Sequence, residues 1–238
     1  MLRRFGVAVG STWIVFAVAI LGVALIATAT PAQADTFTFT SCHVSNSTCE
    51  GGSVPSGFGT VTLLQSGANV TFDVTLTGGN TFVETGAGGD SLFLFNDALA
   101  GSTVTGCTTT LNGVTQTLAC SGLTGQSPIM ADGTGTFTAQ VFCTTASQCN
   151  GSSGAPINDL HFTVTNATLA QLEVANANGN LFVVDVFCGT TQTGCANGLT
   201  GPVDVSGVVP EPTTLLMVGT VLVGLGAAWR RRQRTLAV

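Results

Sequence analysis

Apolar and polar residues alternate along most of the interior of the chain. In Asn69 to Thr77, Val70, Phe72, Val74 and Leu76 fall on one side and Thr and Asp on the other. Thr36 to Thr40 places Phe37 and Phe39 the same way, and Thr134 to Phe142 alternates around Phe137, Ala139 and Val141. Gly59 to Leu64, Ser91 to Phe95, Asp159 to Thr165 and Leu181 to Phe187 are further strand candidates. A period of two with many β-branched residues predicts half-buried strands. Gly78-Gly79, Gly88-Gly89, Asn112-Gly113, Asp132-Gly133 and Asn178-Gly179 supply the positive φ that tight turns between such strands require. A single helical turn is expected at Ala167 to Leu172, where Thr168 and Gln171 have capping-box spacing. The pattern predicts an all-β body, an antiparallel β-sandwich or jelly roll.

Charge divides the chain. Its six basic residues are all arginines at the two ends, Arg3 and Arg4 and then Arg230, Arg231, Arg232 and Arg234. All but one of the twelve carboxylates lie between, from Asp35 to Asp204. A body without Lys or Arg cannot form a Lys/Arg–carboxylate bridge, and it has no basic patch for phosphates, so nucleic acid is excluded as a partner. Its fold must rest on apolar burial, ladder hydrogen bonds and cross-links.

The ends look like targeting segments. Arg3 and Arg4, the apolar run Val7 to Ala27 and Ala32-Gln33-Ala34 have the three parts of a secretory signal, with cleavage by signal peptidase before Asp35. The run is long for a signal, and an uncleaved anchor is the alternative. At the other end, Pro210-Glu211-Pro212 precedes the apolar run Thr213 to Trp229 and the arginine cluster. Those seventeen residues would make a helix of about 26 Å, enough for a single transmembrane span of the inner membrane. The arginines would then act as a cytoplasmic stop-transfer cluster, leaving the body outside.

This order of motif, span and arginines resembles the PEP-CTERM sorting signal, carried by substrates of exosortase, a membrane-embedded protease-transpeptidase of Gram-negative bacteria. The resemblance implies that Pro210, Glu211 and Pro212 are the recognition motif. Charge and the two end segments divide the chain into a signal peptide (1–34), a disulfide-bearing β domain (35–207) and a sorting tail (208–238). The resemblance also implies export to the cell surface or medium, with transient anchoring by the C-terminal helix, and an association with exopolysaccharide.

The eight cysteines all lie in the body, at Cys42, Cys49, Cys107, Cys120, Cys143, Cys149, Cys188 and Cys195. An even count in an exported chain favours disulfides. Loop-closure entropy favours near neighbours, so the expected pairs are 42–49, 107–120, 143–149 and 188–195. The spacings do not match structural zinc sites, and there is no C-x-x-C for redox work.

No catalytic constellation stands out. His43 and His161 read as ordinary surface or edge residues, and no G-x-S-x-G elbow occurs. The carboxylates Asp73, Glu84, Asp90, Asp97, Asp132, Asp159, Glu173 and Asp185 are scattered, without a neighbouring cation to tune them. No cofactor and no metal site is expected. Structural Ca²⁺ on the acidic turns, at Asp90 or Asp132, is a weaker alternative. The sequence therefore points to a non-enzymatic exported protein of a cell-surface or biofilm-type extracellular matrix. An adhesin-like glycan- or protein-binding module is the alternative, and a secreted hydrolase is a third reading.

Overall fold

The computed structural model describes residues 33–84, 91–97, 101–111, 113–123, 128–145, 156–206 and 222, with only the backbone at 111 and 120–123. Its first strands are β1 (Ala34–Thr38), β2 (Ser41–Cys42), β3 (Gly52–Ser53), β4 (Gly59–Ser66), β5 (Asn69–Leu76), β6 (Thr81–Phe82) and β7 (Ser91–Phe95). Then come β8 (Thr103–Leu111), β9 (Val114–Thr117), β10 (Cys120–Leu123), β11 (Ile129–Ala131), β12 (Gly135–Phe137) and β13 (Ala139–Cys143). β14 (Asp159–Thr165), the single helical turn α1 (Leu169–Leu172), β15 (Asn180–Phe187) and β16 (Thr200–Ser206) complete the described elements.

The strands form antiparallel sheets. The first has the order β1-β4-β5-β14-β8-β9, and the second β10-β13-β7-β15-β16-β2-β3, with β6 also paired to β15. β11 and β12 make a separate hairpin. Phenylalanine joins the two large sheets. Phe72 of β5 stacks on Phe162 of β14 at 4.6 Å and meets Phe93 and Phe182 of the second sheet edge-on at 5.8 and 6.0 Å. Phe37 of β1 meets Phe182 at 5.3 Å. Full burial of each such ring contributes roughly 2–3 kcal/mol, and Phe needs no buried hydrogen-bond partner as Tyr would.

The alternating runs on the first sheet behave as expected: β14 is buried at every second residue. Ser91 to Phe95 and Leu181 to Phe187 differ, because every residue of β7 and nearly all of β15 is buried. These strands are central, and their outer face is covered. Ala131 and Phe137 of the β11–β12 hairpin pack there against Leu94 and Val183 in a second apolar cluster. The run Thr134 to Phe142 is consequently not one strand. It breaks at Thr138, so that Phe137 joins the outer cluster while Ala139 and Val141 enter the main core. Thr138 Oγ1 holds the break by accepting from the Asp97 N–H at 2.9 Å.

β8 and β16 carry less apolar alternation than the runs above. β8 is threonine-rich and interrupted by Gly106 at φ 68°, and β16 holds Gly201 and Pro202. α1 forms where capping-box spacing predicts it, with the Thr168 N–H donating to Gln171 Oε1 at 2.8 Å. Among the described residues no helix is long and apolar enough to cross a membrane. The predicted signal peptide up to residue 32, the motif Pro210-Glu211-Pro212, the C-terminal span apart from Leu222, and Arg230, Arg231, Arg232 and Arg234 lie outside the described residues.

Candidate functional site

The outer face of the first sheet is a field of threonine. One row crosses the sheet as Thr36, Thr62, Asp73, His161, Thr108 and Thr117, strand by strand. On one side of it runs Thr38, Thr60, Thr75 and Asp159. On the other side Thr71, Thr163 and Thr105 follow Leu64, and beyond these Thr165 and Thr103 follow Asn69. Neighbours across the strands stand about 4.8 Å apart, so hydroxyls bond along a row. Thr36 and Thr62 do so at 2.9 Å, and Thr103 and Thr165 at 2.7 Å.

The charged group of this face is central. His161 Nε2 lies 3.0 Å from Asp159 Oδ2, and Nδ1 lies 3.3 Å from Asp73 Oδ1. Asp159 also accepts from Thr109 Oγ1 at 2.5 Å and from the Thr110 N–H at 2.9 Å. Burial raises its pKa, but the hydrogen bonds from Thr109, Thr110 and His161 outweigh this and hold the carboxyl below its usual range.

A second polar group lies on the outer face of the second sheet. Asp204 of β16 has no exposed surface. His43 Nε2 stands 2.9 Å from its Oδ2 and 3.1 Å from Ser41 Oγ. The approach to Asp204 is off-line for a hydrogen bond, so this is a charge contact, and Oδ1 has no partner. Ser, His and Asp are thus together, but one ring nitrogen faces both. A nucleophilic relay needs Nε2 for the serine and Nδ1 for the aspartate. Here Nδ1 packs against Gly133, where an added Cβ would lie 2.4 Å away.

The remaining carboxylates are dispersed. Glu84 accepts from the Cys143 N–H at 3.0 Å, Asp97 accepts from Ser102, and Asp132 is exposed in the hairpin turn. Asp185 is buried in β15, Glu173 follows α1, and Asp90 lies outside the described residues. Among the described residues no three His, Cys, Asp or Glu side chains are gathered to hold a metal ion. Ser41 and Asp204 drew no attention in the sequence, because their proximity depends on β16 pairing with β2, more than 150 residues away in the chain.

Two disulfides lie at one end of the sheets, Cys42–Cys49 and Cys188–Cys195, with Cα–Cα separations of 5.7 and 6.0 Å. Their loops dock on each other: the Cys49 N–H and Thr48 Oγ1 both donate to the Gly194 carbonyl at 3.0 Å. Beside them Asn80 Nδ2 donates to Gln192 Oε1 at 2.7 Å, and Asn80 Oδ1 accepts from the Gly189 N–H at 2.9 Å. Cys107 and Cys143 are also disulfide-bonded. Cys149 and the side chain of Cys120 lie outside the described residues, and Ala34 of the predicted cleavage site opens β1.

Comparison with known proteins places the tail. Residues 208–232 match the PEP-CTERM protein-sorting motif. The chain carries a PEP-CTERM sorting signal. That signal marks it as an exported protein, processed by an exosortase and directed to the cell surface or the extracellular space. The match includes Pro210, Glu211, Pro212 and three of the arginines, Arg230, Arg231 and Arg232. No curated protein and no solved structure matches the chain.

Proposed function

We propose that this PEP-CTERM protein is a non-enzymatic structural component of a cell-surface or biofilm-type matrix, with its threonine face set against hydrated, uncharged exopolysaccharide. The observation that carries the reading is that face, six strands wide, on a body addressed to the surface by its tail. Rows of hydroxyls match the donors and acceptors of sugar hydroxyls, and each bond is worth only about 1 kcal/mol net, so the area must act collectively. A body without Lys or Arg would repel anionic polymers, which favours an uncharged glycan.

In this reading signal peptidase cuts after Ala34 while the inner membrane holds the C-terminal span. Exosortase then acts at Pro210-Glu211-Pro212, with Arg230, Arg231, Arg232 and Arg234 on the cytoplasmic side. Intact mass and terminal peptide mapping of the protein from the host surface test it. The expected form begins at Asp35, lacks the residues after the motif and is eight protons light, one for each cysteine. An intact tail in a membrane fraction would overturn the sorting step and the matrix reading with it.

The adhesin-like alternative draws on the Asp73–His161–Asp159 group, a distinctive polar feature within a repetitive face. Saturable binding on a glycan array, lost in His161→Gln but kept in Thr62→Ser, would favour that module over a collective matrix contact.

A further inference from the structure

Asp35 is the second residue of β1, and its side chain is almost wholly buried. Gln33 Nε2 donates to its Oδ2 at 3.2 Å. Asp35 interacts with Glu173, just after α1, whose Oε1 is buried without a hydrogen-bond partner. Burial, and then the charge of Asp35 and a hydrogen bond with it, push the Glu173 carboxyl up to about 7. Two acids therefore face each other, and no Lys or Arg exists between them and the sorting tail to balance them.

Cleavage between Ala34 and Asp35 alters this site. Water adds across the peptide bond: Ala34 leaves as a carboxylate, and Asp35 keeps an amine that takes up a proton. Gln33 departs with its side-chain amide, and so does the Gln33 carbonyl that accepts from the Gln65 N–H at 2.9 Å. The new ammonium is three bonds from the Asp35 carboxyl carbon, within about 4 Å of it. A terminal amine ordinarily titrates near 7.7–8.0, so it is largely charged at about pH 7.

We propose that signal removal completes an ion-pair site of the fold: the α-ammonium of Asp35 replaces the Gln33 amide and supplies one positive charge to the acid pair of Asp35 and Glu173. The exported form is thereby stabilised by a cation that the precursor lacks. The inference rests on the cleavage proposed above. It is a binding site for the protein's own processed terminus, and the groups facing it are Asp35 from β1 and Glu173 from the end of α1.

The sequence offers a selective test, because the chain contains no lysine. The mature exported protein then has one primary amine. Acetylation removes its charge, whereas reductive dimethylation keeps it. Thermal unfolding at pH 7 is expected to show a Tm several degrees lower after acetylation and little changed after dimethylation. In Glu173→Gln the acetylation effect is expected to shrink by at least half. A mature terminus other than Asp35 overturns the inference at its first step. An Asp35 terminus with an unchanged Tm after acetylation, or an equal loss in Glu173→Gln, overturns the pairing and leaves the export reading standing.

Discussion

At Asp204 a carboxylate with no exposed surface is set against one imidazole. Burial raises its pKa, while the charge of His43 opposes the rise without cancelling it. The folded chain holds this proton where the unfolded chain has lost it. The stabilisation is therefore complete below the ordinary carboxylate range and is lost as pH rises through the raised value. Asp204→Asn cannot ionise. Between about pH 4 and pH 7, the wild-type Tm is expected to fall more than that of Asp204→Asn. Equal falls would mean that the His43 contact offsets the burial. The neighbouring Gly133 carries a sharper constraint. Its φ is 77°, and a Cβ there would meet His43 Nδ1 at 2.4 Å and Cγ at 2.9 Å. Gly133→Ala is expected to destabilise by more than about 1 kcal/mol, measurable by urea denaturation. The Asp132-Gly133 turn was legible in the sequence. That it would seat a histidine ring was not, because nothing local joins residue 133 to residue 43.

The same limit holds for whole elements. Alternation identified β1, β4, β5 and β14, whose outer sides stay open. It described β7 and β15 only as half-buried, since the β11–β12 hairpin that covers them is recruited from a distant part of the chain. Cysteine spacing anticipated Cys42–Cys49 and Cys188–Cys195, because short loops close with the least entropy loss. The spacing held no sign that the two loops share the Gly194 carbonyl. Their docking predicts that the cross-links support each other. Replacing either pair with alanine is expected to destabilise by roughly 2–3 kcal/mol. Replacing both is expected to cost less than the sum, with a coupling of about 0.5–3 kcal/mol in a double-mutant cycle by guanidinium denaturation. Strict additivity would mean that the Thr48 and Cys49 bonds to Gly194 survive reduction of either loop.

Across the whole molecule, the arrangement of charge accounts for what kind of stability the fold can have. The body has carboxylates but no Lys or Arg, so apart from His43, His161 and the terminal amine its long-range electrostatics are repulsive. What opposes this is apolar and covalent: the phenylalanine layer between the sheets and the cross-linked loops at their ends. Adding salt separates the two contributions. Screening shortens from about 30 Å at 0.01 M to about 8 Å at 0.15 M ionic strength. Repulsion among exposed carboxylates such as Asp73, Glu50 and Asp132 is then weakened. Partly buried contacts, such as His43 with Asp204, are screened much less. The Tm of the processed protein is therefore expected to rise from 0.01 to 0.15 M NaCl, opposite to the response of a fold tied together by surface ion pairs. A fall would show that attraction at His161 and the terminus outweighs the repulsion summed over the body. A rise fits a matrix protein that stays folded and separate in dilute medium and tolerates close packing as ionic strength increases.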